Sequence, residues 1–551
     1  MNTLLLLTLL AQAPAPPRLN PTQPAPRRVG VDIAQRDLTL AQAIEMALKN
    51  NLEIEVEKTN RAAAGEAVRA ARGYWDPAFR WLPSLERRNT PTGSVLQGAG
   101  GVLAEHLHSQ NFAFRQRLPW EGAQLNVDFD NSRQASTNPF VSLNPFVTSR
   151  LLVSVTQPLL RNRLIDRERA ELKIRRKNQD LSALDFELRT IDVITRVEQT
   201  YWDLVAARQD VSVKADAVEW AREQLARNRR MIDAGALAPV ELSASEAELE
   251  RRLDTWYASI GVVTEVENAL KTLLAPDRAA ALWSEEIVPV DERLAGPAGI
   301  YDLRENVNQA VAARPELRLI QARQQVNEIE RRQNVEQVKP QVNLVASWSS
   351  AGLAGSTRPG DNPFSASQAA LYERLNQLSA KAGLPPLSAA GFGSLPDRLV
   401  GGYGATLSNL FSGGYQTAQV GLSFDFNLRN NTAEANLAQT ALAARRLKIQ
   451  QAQLEQAIEA QVRNALQAIQ TARQRQAAAQ AGARAAKDKL DSETRLFQTG
   501  ESTNFLVLTR QNEYADSRRR EVVANLDYNK AVSRLAQAMG STLRDHKVSV
   551  Q

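Results

Sequence analysis

Val197–Gln209, VEQTYWDLVAARQ, has a second version 265 residues further on, at Val462–Gln474, VRNALQAIQTARQ. The same offset carries Arg230–Gly235, RMIDAG, onto Arg495–Gly500, RLFQTG. Each glycine closes a Pro-free stretch that opens after the same tripeptide, Leu160-Arg161-Asn162 in one copy and Leu428-Arg429-Asn430 in the other. About 70 residues of helix rise roughly 105 Å, several times the width of a small domain. The chain therefore reads as one architecture built twice, with a very long helix in each copy.

Working outward, Leu181, Leu184, Leu188, Ile191, Ile194, Val197, Tyr201, Leu204, Val211 and Val218 keep the three-and-four spacing of a packing seam along a helix from about Asp166 to Ile232. A turn containing Gly235 and Pro239 returns the chain along a helix from Val240 to Leu274. The second long helix ends near Gln498, and Phe505 to Met539 returns to Gly540. Residues 472–486 hold eight alanines, which combine helix propensity with room for close backbone approach. Upstream, Leu40–Arg72 reads as a helix capped by Thr39, with Ile44, Leu48, Leu52 and Val56 on one stripe. Leu303, Val307, Ala310, Val311 and Leu317 repeat Leu40, Ile44, Ala47, Leu48 and Ile54 in a helix that Pro340 ends.

Between the helices the period drops to two. Leu125, Val127 and Phe129 alternate with Asn126, Asp128 and Asp130; Phe112 and Phe114 begin a similar stretch, with a turn at Leu118–Gly122 between them. Leu151, Val153 and Val155 follow, so this half offers three or four strands. In the second half Val342, Leu344, Ala346 and Trp348 alternate with polar residues, and Val420, Leu422, Phe424 and Phe426 alternate with Gly421, Ser423, Asp425 and Asn427. Strands with one apolar and one polar face suit a barrel wall between lipid and water, or the wet sheet of a soluble sandwich. Lipid tolerates no open sheet edges, so in a barrel several copies must pool their strands. The Gly-rich insert Gly352–Tyr415 is expected as an external or partly disordered loop, with a short helix over Ala369–Leu378.

The chain has no cysteine, which excludes disulfides, thiolate metal sites, thiol catalysis and a thioether lipid anchor. Residues 4–10, LLLLTLL, followed by Ala11-Gln12-Ala13, read as an export signal, although no basic residue precedes them and Pro14 follows directly. No other segment approaches the ~20 apolar residues of a spanning helix. The net charge of +6 fits solvated helix faces better than an anionic partner. His106 and His108 share a strand face without a carboxylate, Gly401–Gly404 lacks the Lys-Ser/Thr of a phosphate loop, and Asp166, Glu168 and Glu171 interrupt the basic stretch Arg161–Lys177. No catalytic residues, cofactor, metal or nucleic-acid partner are expected.

The chain is thus divided into an export segment 1–13, a Pro-rich disordered stretch 14–37, a first repeat 38–275 with strands about 79–157, and a linker 276–300. A second repeat covers 301–540, with strands about 341–350 and 416–427 around an external insert 351–415, before a tail 541–551. Several segments, in this order and spacing, resemble the TolC-type outer-membrane efflux proteins: LTLAQAIEMALKNN at 38–51, TQPLLRN at 156–162, TYWDLVAAR at 200–208, GALAPVELSASEAELE at 235–250, ARPELRLIQA at 313–322 and TGESTNFLVLTRQNEY at 499–514. The resemblance implies a mainly α chain with membrane β strands. It implies a homotrimer whose strands form one outer-membrane barrel continuous with a periplasmic α-helical tunnel. It further implies a passive duct of a tripartite efflux or type I secretion system, working with a periplasmic adaptor and, through it, an inner-membrane pump.

In such proteins the helix pairs around Gly235 and Gly500 form the tip that meets the adaptor, so Gly235, Pro239, Val240, Gly500 and Phe505 become docking candidates. Some members carry acidic residues six and nine positions after the second tip glycine; here those positions are Leu506 and Thr509, expected as an apolar lumen constriction. A second departure is the alternating stretch around 110–130, which adds a hairpin or extends two strands. A pore-less periplasmic coiled-coil scaffold is the competing reading; it leaves the alternation at 420–426 without a purpose.

Overall fold

The structure, a computed structural model, describes residues 28–32, 34–93, 101–235, 238–291, 302–358, 363–387 and 395–549. The export segment 1–13, most of the stretch 14–37 and the Gly296-Pro297 end of the linker lie outside them. Two compact units are present, one made of residues 1–61, 182–319 and 450–551, the other of 62–181 and 320–449. Among the described residues no helix is long and apolar enough to cross a membrane.

In chain order the elements are β1 (Gln35–Leu38), α1 (Leu40–Asn50), α2 (Leu52–Arg72), β2 (Ala78–Pro91), β3 (Val102–Arg117), β4 (Gln124–Ser136) and β5 (Leu143–Pro158). The long α3 (Arg167–Asp233), α4 (Val240–Leu274), β6 (Glu286–Pro289), α5 (Leu303–Ala313) and α6 (Pro315–Val338) follow. Then come β7 (Gln341–Thr357), α7 (Pro363–Lys381), α8 (Tyr403–Phe411), β8 (Gln416–Asp425), the long α9 (Asn431–Thr499), α10 (Asn504–Met539) and α11 (Thr542–Asp545).

In the first unit Thr39 caps α1 through a reciprocal box with Gln42. The single helix expected over 40–72 is two, because Asn51 leaves helical geometry: its Oδ1 accepts from the Glu53 and Ile54 amides and its Nδ2 donates to Leu273 O. The helix expected to reach Pro340 breaks at the corresponding place, Arg314, because Pro315 follows it. Three assignments of irregular chain also change. Gln35–Leu38 is a strand, paired in parallel with β6 from the expected linker. Arg28 is anchored to Glu267 at 2.7 Å and Glu286 at 3.0 Å. The tail carries α11 and docks His546 on Glu198 at 2.6 Å. Around these, Ile44, Ile194, Val197, Tyr201, Trp202, Leu204, Leu270 and Ile287 form one core, and Leu317, Ile458, Val462, Ile469, Tyr528 and Leu535 another.

The second unit holds a six-stranded antiparallel sheet in the order β2-β3-β4-β5-β7-β8. The stretch around 110–130 is a hairpin, β3–β4, closed by a turn with Glu121 at φ 53° and Gly122 at φ 72°. β7 runs seven residues beyond the expected 350, so the start of the expected loop is strand; β8 stops at Asp425, short of the expected 427. The insert is more ordered than expected: α7 outruns the anticipated short helix, and α8 lies across the sheet. Gly401–Gly404 opens α8 after a single 3-10 turn rather than a strand. Gly352 permits the contact: a Cβ there would meet Thr406 O at 2.1 Å.

Candidate functional site

Directly opposed residues of an antiparallel pair share a face, so the strand registers sort the whole sheet. One face carries Phe79, Trp81 and Leu85 of β2, Phe112 and Phe114 of β3, and Leu125, Val127 and Phe129 of β4. It continues through Leu151, Val153 and Val155 of β5, Leu344 and Trp348 of β7, and Val420, Leu422 and Phe424 of β8. The other face carries Arg80, Glu86, Asn111, Glu105, Asn126, Asp128, Asp130, Arg150, Ser347, Gln419 and Asp425. Every carboxylate of the paired strand residues is on this polar face. The apolar face is largely uncovered: Leu85 is 83% and Val420 74% exposed. Rings stack along it, with Phe112 5° from parallel to Trp81 and 23° from parallel to Phe129.

Beyond this band, Asn131, Ser149, Ser350 and Gly352 continue the same face as small or polar residues and are buried under α8. The Tyr403 hydroxyl donates to Asn131 Oδ1 at 3.1 Å, Ser149 Oγ donates to the same oxygen at 2.6 Å, and Asn409 Nδ2 donates to Leu353 O at 2.9 Å. His106 and His108 share this face as expected, while Glu105 points the other way and accepts from Gln134. Among the described residues no group of three or more His, Asp or Glu is placed to hold a metal.

The helix turns form the second part of the site, within the first unit. Gly235 and Gly500 have φ of 72° and 81°, left-handed values that end α3 and α9 without a Cβ penalty. The Gly500 turn closes with Glu501 N donating to Leu496 O at 2.9 Å. Gly235, Pro239 and Gly500 are exposed, as are Val240 at 72% and Phe505 at 74%. Thr503 caps α10. α10 turns Asn504, Val507 and Gln511 into its own chain; Leu506 is partly exposed, and the Thr509 hydroxyl donates to Phe505 O.

What joins the two turns is polar. Gln224 Nε2 donates to Asn228 Oδ1 at 2.9 Å and Asn504 Oδ1 at 2.7 Å, Asn228 Nδ2 donates to Ser245 Oγ at 2.7 Å, and Asn504 Nδ2 donates to Glu241 Oε2 at 3.1 Å. A layer deeper, buried Arg252 donates to Ala217 O at 2.8 Å, Gln511 Oε1 at 3.2 Å, Asn512 Oδ1 at 3.1 Å and Glu248 Oε1 at 2.7 Å. Burial pushes the Glu248 carboxyl up, but hydrogen bonds from Arg251 and Arg252 outweigh it and hold it at about 2. None of these residues is among the candidates named from the sequence, although Gln224 and Asn228 continue the spacing of Val218 and Ala221: polar residues on a seam are the signal.

No protein-family model matches the chain, and no curated protein matches it. Solved structures do. The Campylobacter jejuni CmeC outer membrane channel is 16% identical over 96% of this chain and 97% of its own, with a TM-score of 0.61. The outer-membrane channel OprN is 13% identical over 96% and 98%, with a TM-score of 0.60. The open state of the Neisseria gonorrhoeae MtrE outer membrane channel is 16% identical over 93% and 90%, with a TM-score of 0.57. Across nearly its full length the chain has the fold of these outer-membrane channels.

Proposed function

We propose that the chain is the outer-membrane channel of an export system, a passive duct rather than an enzyme, closed by several copies that pool their sheets. The observation that carries this reading is the division of the sheet into one uncovered apolar face and one polar face. Such a sheet is stable where lipid meets one side and water the other. Its two edges, β2 and β8, run in opposite directions because the number of strands is even. Each copy can therefore add β8 to β2 of the next and keep an antiparallel ladder without an exposed edge. With three copies, as the resemblance implies, the wall has eighteen strands, a size that leaves an aqueous channel.

The tandem repeat assigns each half a wall segment and a helical tunnel segment, the latter periplasmic. Gly235, Pro239, Val240, Gly500 and Phe505 are the docking surface for a periplasmic adaptor that links the duct to an inner-membrane pump. Leu506 and Thr509, three residues apart and off the buried stripe of α10, face the lumen near the closed end. Polar layers around Asn504 and Arg252 suit an opening device, since water can replace their partners as the helices part, whereas a purely apolar seam would lose its contacts outright.

The test is conductance in planar lipid bilayers, comparing the unaltered protein with Arg252→Met. Discrete steps that grow in the variant are expected. A folded, membrane-extracted protein that gives no steps in either form would refute the duct.

A further inference from the structure

The upper end of the apolar face on β2–β4 carries a cluster that the duct does not use. The rows continue outward from Trp81–Phe112–Phe129 through Pro83–Gln110–Asn131 to Leu85–His108–Arg133 and Arg87–His106–Ala135. Arg87, His106, His108 and Arg133 are all exposed. Cross-strand neighbours on one face lie within ~5 Å of each other, and three strands span about 10 Å, so the four side chains can converge on one group. The apolar face has no carboxylate among its paired residues to neutralise them; Glu86 and Glu105, their sequence neighbours, are on the polar face, where Arg88 pairs with Glu86 at 2.6 Å.

The cluster is also oriented. Trp81 Nε1 donates to Gln110 Oε1 at 2.8 Å, and the Gln110 amide nitrogen lies 2.9 Å from His108 Nε2, which leaves His108 Nδ1 as a donor. The basic rows begin about 13 Å along the strands from the ring row; strand tilt makes that about 10 Å of height, where a membrane changes from acyl chains to headgroups. Arginine presents a planar fork of donors that matches phosphate oxygens.

We infer that Arg87, His106, His108 and Arg133 form a binding site for the phosphate of an outer-leaflet lipid headgroup, whose acyl chains lie on the Trp81, Phe112 and Phe129 rings below. The inference rests on the apolar face meeting lipid. Membrane depth is what selects a lipid rather than free phosphate, because only a lipid fills both the basic rows and the ring row.

The test measures lipid A retained by the full-length protein in detergent, by native mass spectrometry and by the lipid-induced rise in Tm. The proteins compared are the unaltered one, Arg87→Gln/Arg133→Gln, and Arg80→Gln/Arg150→Gln on the opposite face. Loss of two charge-assisted contacts should weaken lipid A binding by at least about tenfold in the first variant and leave it unchanged in the second. Dephosphorylated lipid A should bind as weakly as the first variant, and inorganic phosphate at the same concentration should not compete. Equal binding by the first variant, equal binding of the dephosphorylated lipid, or displacement by inorganic phosphate would each overturn the site. A Val420→Cys spin label in bilayers separates this from the underlying reading: lipid contact at Val420 with no loss in the first variant defeats the site alone, whereas water contact at Val420 defeats the duct.

Discussion

α3 and α9 are nearly equal in length and match in sequence at their centres, yet they bury themselves differently. In α3 the residues from Thr190 to Val205 are buried on more than one side: Ile191, Val193, Ile194 and Thr195, then Val197, Glu198, Tyr201, Trp202 and Leu204. α9 buries a single narrow stripe, Ile458, Val462, Ala465, Ile469, Ala472, Gln476, Ala483, Ala486 and Leu490, with partly exposed Ala479 completing a strict alternation of four and three. That spacing is a coiled-coil-like seam, and it packs on α10 and on Ala310 of α5 and Leu317 of α6. The helix with bulky aromatics is held inside its own chain, and the alanine-rich helix has faces left over. In the assembly proposed above, copies that join through β8 and β2 also have the exposed faces of α9 with which to pack their helices together.

The contrast can be broken most strongly at Trp202, which is 1% exposed. Trp202→Ala should cost about 3–5 kcal/mol, read as a fall in the denaturation midpoint in detergent; a cost near zero would mean that α3 is not held as described. Ala472→Leu should overpack the α9 seam by a smaller amount, about 1–3 kcal/mol, by the same readout.

The docked tail bears on the same contrast, because through His546 it adds to the burial of Glu198 on α3. The hydrogen bond to Glu198 raises the His546 pKa against the opposing effect of burial. A raised folded-state value means that the stabilisation is complete below the unfolded value of about 6.5 and is lost as pH rises through the folded value. With His546 partly exposed, His546→Gln should remove about 1 kcal/mol at pH 6 and less at pH 9. Hydrogen exchange of residues 540–549 at the two pH values checks this; protection that increases with pH would contradict it. The smallest effect on the single chain is expected at Ala481, exposed on α9. Ala481→Trp should change stability by no more than about 0.5 kcal/mol yet lower the fraction of assembled protein in size-exclusion chromatography with light scattering.

Much of the molecule was legible because its periods are clean. The bounds of α4 matched those expected and those of α3, α9 and α10 nearly did, and the alternation in β4, β7 and β8 named the two faces. The misses have local causes. Asn51 caps its own helix break with a side chain that a stripe analysis treats as one more polar position. β1 and β6 are only four residues each, too short to show a period. α8 is only nine residues long, with Gly404, Thr406 and Ser408 interrupting its apolar residues, and it becomes a helix on the sheet because Gly352 and Ser350 let it approach. Gly235 and Gly500 were visible as the glycines of two helix turns; the Gln224, Asn228, Asn504 and Arg252 layers between them were not, since polar residues on a seam look like interruptions until their partners from other helices are in place.

In the duct proposed above, the sheet stands between lipid and water. The chain has no cysteine, so single spin labels placed in turn from Thr417 to Phe424 on β8, in bilayer-reconstituted protein, report each position's surroundings without a background. Strict alternation is expected, with Ala418, Val420, Leu422 and Phe424 accessible to oxygen and Thr417, Gln419, Gly421 and Ser423 accessible to a water-soluble nickel complex. Uniform access to the nickel complex along the strand would contradict it.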